Sequence, residues 1–474
     1  MNILLVNPPS SFILRTFNEI SLPDMPLNLA YIASCLEATG HDVRIIDMNV
    51  VETVEDLQRR LHELDFHLAG FTSTTPAINS CYRTIKIIKL ALPWIKIMLG
   101  GWHASALPSK TLQECKEIDY IIRGEGEKTC QELVTRLASG GSLENVKGLA
   151  YRDDAGRIHV TEERPLIQDI DAIPYPARHL LDLDAYRRIG FYTVGGYFKK
   201  DLYLSSMITS RGCAFNCTFC ADSTIYKSTC RLRSPENVIA EMKHMIHEHD
   251  IRIFFITDAN FTLSKKRVMR ICNLMIDEGL KIMWGCAARV DCVSLDLLKL
   301  MKKAGCTRIS YGIESGSPRI LKLMNKRISI KQIRDAVRMT KQVGIPVYLY
   351  FVYGIPDETM NDARKSGHLL MDLKPDYVTH SIATPFPGSQ LYDEALDRGI
   401  LKDVDWDMFN YPYNYVIINP GFTEIFKYQA RVMKRFYLSP HFIMQTLKNL
   451  KSIYHVLFYL RALKHLIIYM FTFR

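Results

Sequence analysis

Three cysteines within one twelve-residue stretch are the part of this 474-residue chain whose type and spacing can do chemistry. Cys213, Cys217 and Cys220 stand in Ser210-Arg-Gly-Cys-Ala-Phe-Asn-Cys-Thr-Phe-Cys-Ala221, with the spacing C-x3-C-x2-C. Thiolates are soft ligands suited to iron–sulfur clusters, zinc or copper(I). A [4Fe–4S] cubane takes four cysteine thiolates, so a motif that offers three leaves one iron open to an outside ligand. A Cys3His zinc site could use the same thiols with His244 or His247. Zinc sites usually pair short C-x2-C hooks, however, and a second hook is missing. A disulfide would need an oxidising compartment, which nothing in the chain suggests. The remaining cysteines, such as Cys35, Cys272 and Cys286, lie in apolar runs, as buried free thiols do.

The elements that must position this loop follow a βα rhythm. Strands are expected at 204–208, 251–256, 282–286, 308–312, 346–352 and 377–382, separated by helices of ten to fifteen residues. Six parallel units suit a curved partial barrel, and in barrels the reacting groups sit at the C-terminal strand ends. The cysteines follow the first strand, as that rule requires. The other strand ends carry Asp258 and Asn260, Arg289, Glu314 and Ser315, and Gly354 with Pro356. A carboxylate there can accept hydroxyl or ammonium hydrogen bonds, and an arginine can grip a carboxylate in a fork.

Upstream, residues 1–140 show the same rhythm, with strands at 3–6, 42–47, 67–71, 95–99 and 120–122 and helices near 27–39, 54–64, 78–90 and 128–138. This is the pattern of a doubly wound, Rossmann-like parallel sheet, whose ligands bind beyond the carboxyl ends of the strands. The loops there contain Pro8 and Pro9, Ser73 and Thr74, Gly100, Gly101 and His103, and Gly124, Glu125 and Gly126. A dinucleotide site is the obvious rival, but Gly124 and Gly126 form a lone G-x-G without the third glycine. A hairpin at 148–160 and a proline-containing stretch to residue 200 make 141–200 a connecting region. The barrel is expected over 201–390 and a helical tail over 391–474.

The cysteine motif, with Phe219 before its last thiol, closely resembles that of the radical S-adenosylmethionine (SAM) superfamily. The resemblance implies that the open iron chelates SAM and that an electron from the cluster splits it into methionine and a 5′-deoxyadenosyl radical. Tyr311-Gly-Ile-Glu-Ser-Gly316 resembles the superfamily's fourth-strand motif, and Gly354 and Pro356 resemble its adenine-side turn. By that likeness Phe219, Asp258, Asn260, Arg289, Glu314, Ser315, Gly354 and Pro356 are expected around SAM.

Pro26-Leu-Asn-Leu-Ala-Tyr-Ile-Ala33, Gly40-His-Asp-Val43, Gly100-Gly-Trp-His103 and Arg123-Gly-Glu-Gly-Glu127 together look like the cobalamin-binding domain found ahead of many radical SAM cores. The resemblance implies cobalamin contacts from the first-sheet loop residues named above. Residues 8–14 lack the histidine that serves as lower cobalt ligand in mutase-type domains, so base-off cobalamin with an unligated or water-bound lower face is expected.

These likenesses imply a cobalamin-dependent radical SAM enzyme that removes hydrogen from an unactivated carbon and transfers a methyl group from methylcobalamin. An anaerobic magnesium-protoporphyrin ester cyclase type of ring formation is the alternative, with lipid modification beside it. A noncatalytic corrinoid or iron–sulfur sensor is a third reading. The expected partners are a small-molecule, lipid or tetrapyrrole substrate and an external electron donor such as flavodoxin or ferredoxin.

Charge narrows this further. The net charge of +10 is concentrated in residues 425–474, which hold nine Lys/Arg and no Asp/Glu, leaving +1 on the rest. A duplex-binding surface on the main body is therefore not indicated. The N-terminus lacks a basic n-region and a cleavage site, so a cytoplasmic protein is expected. In the tail Lys448, Lys451, Ser452 and His455, continued by Arg461, Lys464 and His465, form a polar stripe beside aromatics. A basic amphipathic segment of this kind fits peripheral membrane contact through 440–474; a helix that covers the barrel is the rival.

Overall fold

Ile3 to Val6 are four consecutive apolar residues, all buried, the signature of a parallel strand covered on both faces. They form the middle of β1 (Asn2–Asn7), followed by β2 (Asp42–Asp47), β3 (Leu68–Thr72), β4 (Lys96–Gly100) and β5 (Tyr120–Ile122). The computed structural model describes residues 1–9, 25–50, 61, 65–189, 203–401, 404–409, 416–450, 456 and 460. The expected helix over 54–64 and most of the tail's polar stripe, from Lys451 onward, lie outside them.

β1 to β5 are all parallel. The hairpin β6 (Leu149–Arg152) and β7 (Ile158–Val160), grouped with the connecting region in the sequence, adds antiparallel to β5 and completes a seven-stranded sheet of order β2-β1-β3-β4-β5-β6-β7. The strand order reverses between β1 and β3, the switch point at which such sheets admit ligands. Side chains alternate across the sheet with period two. Ile3, Leu5, Met98 and Ile122 pack under the helices Leu27–Glu37 and Gly126–Ser139, while Leu4, Val6, Phe71 and Leu99 pack against the helix Ile78–Ala91.

The second sheet runs in sequence order, β8 (Tyr203–Met207), β11 (Ile251–Ile256), β12 (Met283–Ala288), β13 (Cys306–Glu314), β14 (Val347–Tyr353) and β15 (Tyr377–Ile382), all parallel. This is the six-unit partial barrel. Between β8 and β11 the chain forms a short antiparallel ribbon, β9 (Ser210–Arg211) with β10 (Arg231–Leu232). Helices follow the strands, and several begin at hydrogen-bonded caps: Ser234, Ser264, Ser329 and Thr359 each accept a backbone N–H, the last two within capping boxes. Such caps fix where each helix starts, and hence where the next strand returns.

The halves share a core. Leu4, Val6, Phe71 and Leu99 of the first sheet belong to one apolar cluster with Ile320, Met324, Ile355, Leu391, Trp406 and Phe409 of the second half. The helix Phe422–Tyr437 lays Phe422, Ile425, Val432 and Phe436 on the barrel's outer core, and Tyr437 donates to Val378 O at 2.8 Å. Among the described residues no helix is long and apolar enough to cross a membrane.

Candidate functional site

The cysteine loop leaves the ribbon at Gly212, whose φ of +83° and surroundings exclude a side chain: a Cβ there would lie 2.1 Å from Thr229 O. Cys213 and Cys217 are half-buried and Cys220 is exposed. Backbone bonds fix the loop to two later segments, Thr218 N to Met324 O at 3.1 Å and Leu391 N to Thr218 O at 2.9 Å. Asn325 Nδ2 donates to Asn216 O at 2.7 Å, and the Arg289 guanidinium lies 3.5 Å over the Phe215 ring.

Burial pushes the Cys213 and Cys217 thiols up, while the nearby cations Arg289 and Lys326 act the other way. The neighbouring backbone of Phe215 and Asp222 favours the thiolates of Cys213 and Cys220. Soft donors with favourable backbone and cations close by fit the demands of an iron–sulfur cluster. Among the described residues no three Cys, His, Asp or Glu side chains converge on one point at metal-ligating distance. The zinc alternative's nitrogen donors are engaged elsewhere: His247 bonds Glu248 at 3.0 Å, and the His244 ring packs beside Tyr175 and His249.

The structure divides the strand-end residues into two groups. Asp258 accepts from Thr209 N and Oγ1, each at 2.6 Å, and from Ser210 N at 3.0 Å and Oγ at 2.6 Å. Its carboxylate is therefore committed to the segment that leads into the cysteine loop. Asn260 Oδ1 accepts from Thr262 Oγ1 and Arg289 N, and its Nδ2 faces Cys292 Sγ. Ser315 Oγ bonds Ser366 Oγ and Ser317 N. These three, expected as SAM contacts, have their polar groups satisfied within the protein. Arg289 grips Asp291 with two nitrogens, at 3.0 and 2.9 Å, and also donates to Lys326 O. The carboxylate in its fork is thus the chain's own.

Glu314 behaves differently. It sits at a register shift in β13 with φ +62°, an uncommon backbone conformation for a non-glycine residue that costs free energy and clusters at functional sites. Its Oε1 accepts from Lys326 Nζ at 2.7 Å, both residues being buried. Gly312 makes room, since a Cβ there would come 2.4 Å from Glu314 Oε1 and 3.1 Å from Lys326 Nζ. Lys326 escaped the strand-end reading because it lies in the connection after the helix Pro318–Leu323; only the tertiary fold brings it to β13. Gly354 has φ +82°, and its N–H donates to Glu358 Oε2 at 2.6 Å, while Pro356 is buried. Burial pushes the Glu358 carboxyl up to about 7. Phe219 is partly buried against the core shared by the halves.

A cleft opens at the switch point of the first sheet. Leu5, Gly70 to Thr72, Met98, Gly100 to Trp102 and Ile122 line it, with Tyr31 and Ile32 from the first helix and Gly124 to Glu127 at the start of the last. Ile208, Arg211, Ile225 and Tyr226, which flank the cysteine segment, form its other wall. The slot is cleared by glycines: a Cβ on Gly70 would meet Met98 and Leu5 at 2.6 and 2.7 Å, and one on Gly126 would meet Ile32 at 2.9 Å. Gly101 has φ +98° and lies against the Ser73 backbone. Asn28 Nδ2 donates to Thr72 Oγ1 at 2.6 Å at its edge. An apolar slot bordered by amides and hydroxyls fits a flat heterocyclic base, such as the benzimidazole at the nucleotide end of cobalamin.

Gly100, Gly101, Gly124, Glu125 and Gly126 therefore line the cleft, whereas Pro8, Pro9, Ser73, Thr74 and His103 do not. His103 lies apart from the cleft for a clear reason. Its ring is fully buried edge-on to Trp406 at 4.7 Å and its Nδ1 lies 3.2 Å from Thr75 Oγ1. Burial lowers its pKa to about 3, leaving it neutral in the shared core. Ser73 Oγ bonds Thr74 O, and Pro8 O accepts from Asn49. Asn28, Tyr31 and Trp102 lie within the stretches that carry the cobalamin-domain resemblance without being singled out there, and Tyr226, far along the chain, gives no local signal that it borders the cleft.

Comparison with known proteins bears on both sites. Residues 207–370 match the family model of the Radical SAM superfamily and residues 20–134 that of the B12 binding domain. The chain is 35% identical over 453 residues to an uncharacterized methyltransferase of Pyrococcus horikoshii, covering 94% of each chain. It is 30% identical over 430 residues to the anaerobic magnesium-protoporphyrin IX monomethyl ester cyclase of Rubrivivax gelatinosus, covering 88% of this chain and 74% of that one. Among solved structures, the cobalamin-dependent S-adenosylmethionine radical enzyme OxsB with aqua-cobalamin and SAM bound aligns at TM-score 0.76, with 18% identity over 99% of this chain and 72% of that one. The radical SAM methyltransferase TsrM from Kitasatospora setae, with cobalamin and [4Fe-4S] cluster bound, aligns at 0.70, with 20% identity over 84% and 78%. Both share the fold.

Proposed function

The chain belongs to the radical SAM superfamily and carries a B12-binding domain, and from that premise we propose that it is a methyltransferase acting on an unactivated carbon of a small molecule. The observation that carries this reading is the shared wall: Ile208, Arg211, Ile225 and Tyr226, on either side of the cysteines, close the cleft of the first sheet. When bound, the [4Fe–4S] cluster and SAM supply a hydrogen-abstracting 5′-deoxyadenosyl radical, and cobalamin supplies the methyl group. The protein's part is to hold, orient and exclude water.

In this reading Cys213, Cys217 and Cys220 are the cluster ligands, and Arg289 and Lys326 offset the negative charge of their thiolates. Glu314, Lys326, the Gly354–Pro356 turn and Phe219 bound the SAM site, while Asp258, Asn260 and Ser315 support it from behind. Gly100, Gly101, Gly124 and Gly126 clear the corrinoid's cleft. The electron donor is of the flavodoxin or ferredoxin type. Ile443, Met444 and Leu447, exposed beside Lys448 on the helix Pro440–Asn449, support contact with an anionic membrane surface.

Similarity to the Rubrivivax gelatinosus cyclase favours a second reading, oxidative ring formation on a tetrapyrrole. The test is product analysis of the anaerobically reconstituted chain with SAM, reductant and cell extract. 5′-Deoxyadenosine together with S-adenosylhomocysteine is expected for methylation, and deoxyadenosine alone points to the cyclase type. Neither product from protein with an intact cluster overturns both readings.

A further inference from the structure

The neck of the cysteine loop places two like charges opposite each other. Arg211 and Arg231 are cross-strand partners on the β9–β10 ribbon, with 7% and 9% of their surface exposed. Like charges in that position repel, and buried guanidinium groups need partners. The counter-charges come from the other half of the molecule. Glu125 accepts from Arg211 Nη1 at 2.9 Å through Oε1 and from Arg231 Nη1 at 2.7 Å through Oε2. Glu127 accepts from Arg211 Nη2 at 2.5 Å. Ile167 N donates to Glu125 Oε2 at 2.8 Å, and Ile167 O accepts from Arg231 at 2.7 Å. Aromatic rings lie beside both cations, Tyr31 at 5.1 Å from Arg211 and Tyr226 at 5.7 Å from Arg231.

The same residues bound the cleft. Glu125, Glu127, Arg211, Tyr31 and Tyr226 are all in its wall. One buried ion network is thus the floor of one site and the neck of the other. All three cysteines lie between Arg211 and Arg231 in the chain, so any change in how the glutamates hold these arginines changes how the loop is presented.

We propose that Glu125, Glu127, Arg211 and Arg231 form an ion clamp that couples the two cofactor sites, so that cobalamin in the cleft and a cluster on the cysteine loop each favour the other's binding. The proposal rests on the assignment of both sites made above. A ligand that fills the cleft immobilises Tyr31, Tyr226 and Glu127 against the arginines. The cluster then binds a loop whose neck is already ordered, and less ordering remains to oppose it. Linkage makes the effect reciprocal. These are positioning residues; the thiols alone are assigned to iron.

The test measures the Kd of hydroxocobalamin by equilibrium dialysis, for the full chain without its cluster and after anaerobic cluster reconstitution. For the wild-type chain the reconstituted form is expected to bind more tightly by roughly 5- to 100-fold. In Glu125→Gln the ratio should fall to within about twofold of one, whatever the change in either separate affinity. Glu127→Gln leaves Glu125 bridging both arginines; it should lose at least about threefold of the coupling, and it carries the test if Glu125→Gln does not fold. A Kd ratio of one in the wild type, or an undiminished ratio in the folded variants, overturns the clamp. A wild-type chain that takes up no iron or no corrinoid overturns the site assignments themselves, a separate result read from metal and cobalamin content before any ratio is taken.

Discussion

Around the cysteine loop the carboxylate of Asp258, the amide of Asn260 and the hydroxyl of Ser315 are engaged by other parts of the chain, whereas the cleft of the first sheet is bounded mostly by apolar side chains and glycines, with the Glu125–Glu127–Arg211 network on one side. The first region is made by what is present, the second by what is left out. Iron needs sulfur donors at set spacings on a fixed loop, so the barrel side invests in hydrogen bonds that hold backbone in place. The corrinoid tail proposed for the cleft needs room, and the sheet side leaves it by omitting Cβ atoms at Gly70 and Gly126. The difference teaches that damage should differ in kind: the loop should fail when its support is disturbed, and the cleft when it is filled.

The largest expected effect is on the loop. Gly212→Ala combines φ +83° with a Cβ 2.1 Å from a carbonyl oxygen, which should cost about 2–4 kcal/mol or displace the ribbon. Iron content after reconstitution should collapse, and full iron retention would show that the loop tolerates disorder at its neck. Next comes the cleft. Gly126→Leu should weaken hydroxocobalamin binding by about tenfold or more while the cluster still assembles, and unchanged affinity in a dialysis experiment would place the corrinoid elsewhere.

A smaller effect concerns the turn after β14. Glu358 has its folded pKa raised from 4.5 to about 7 by burial, so the folded state binds the extra proton between these values. Its contribution to stability is therefore fully present below about pH 4.5, is lost as pH rises through 7, and is level above. The melting temperature should decline over that window, and Glu358→Gln should remove most of the decline, a loss of stability on the order of 3 kcal/mol in the wild type. A parallel pH profile in the variant would contradict this. The smallest effect expected is at His103. His103→Gln should change hydroxocobalamin affinity less than about twofold, because the ring faces Trp406 and not the cleft. A larger loss, with a shifted corrinoid absorption spectrum, would restore it as a contact.

Much of this architecture was legible in the chain. Alternation and apolar runs placed the strands of both sheets to within a residue or two, and the cysteine spacing marked the loop, because each signal is local. What a polar side chain faces is not local. Asp258 and Glu314 both end barrel strands, yet one is absorbed by Thr209 and Ser210 and the other meets Lys326 at a strained bulge. The Arg123-Gly-Glu-Gly-Glu127 run read as a ligand loop for the same reason. Its glycines do line the cleft, but its carboxylates reach arginines 84 to 106 residues away, a pairing that no periodicity announces.

The apolar cluster that spans the two halves bears on how the proposed corrinoid site would be loaded. Leu4, Val6, Phe71 and Leu99 are packed in one core with Ile355, Leu391, Trp406 and Phe409, and drawing the halves apart would bare each of these side chains at about 1.5–3 kcal/mol apiece. Opening the molecule like a pair of jaws is therefore costly. A cofactor bound in the proposed cleft would enter as a thread enters a needle, through the mouth of the slot, or would be taken up while the chain is still folding.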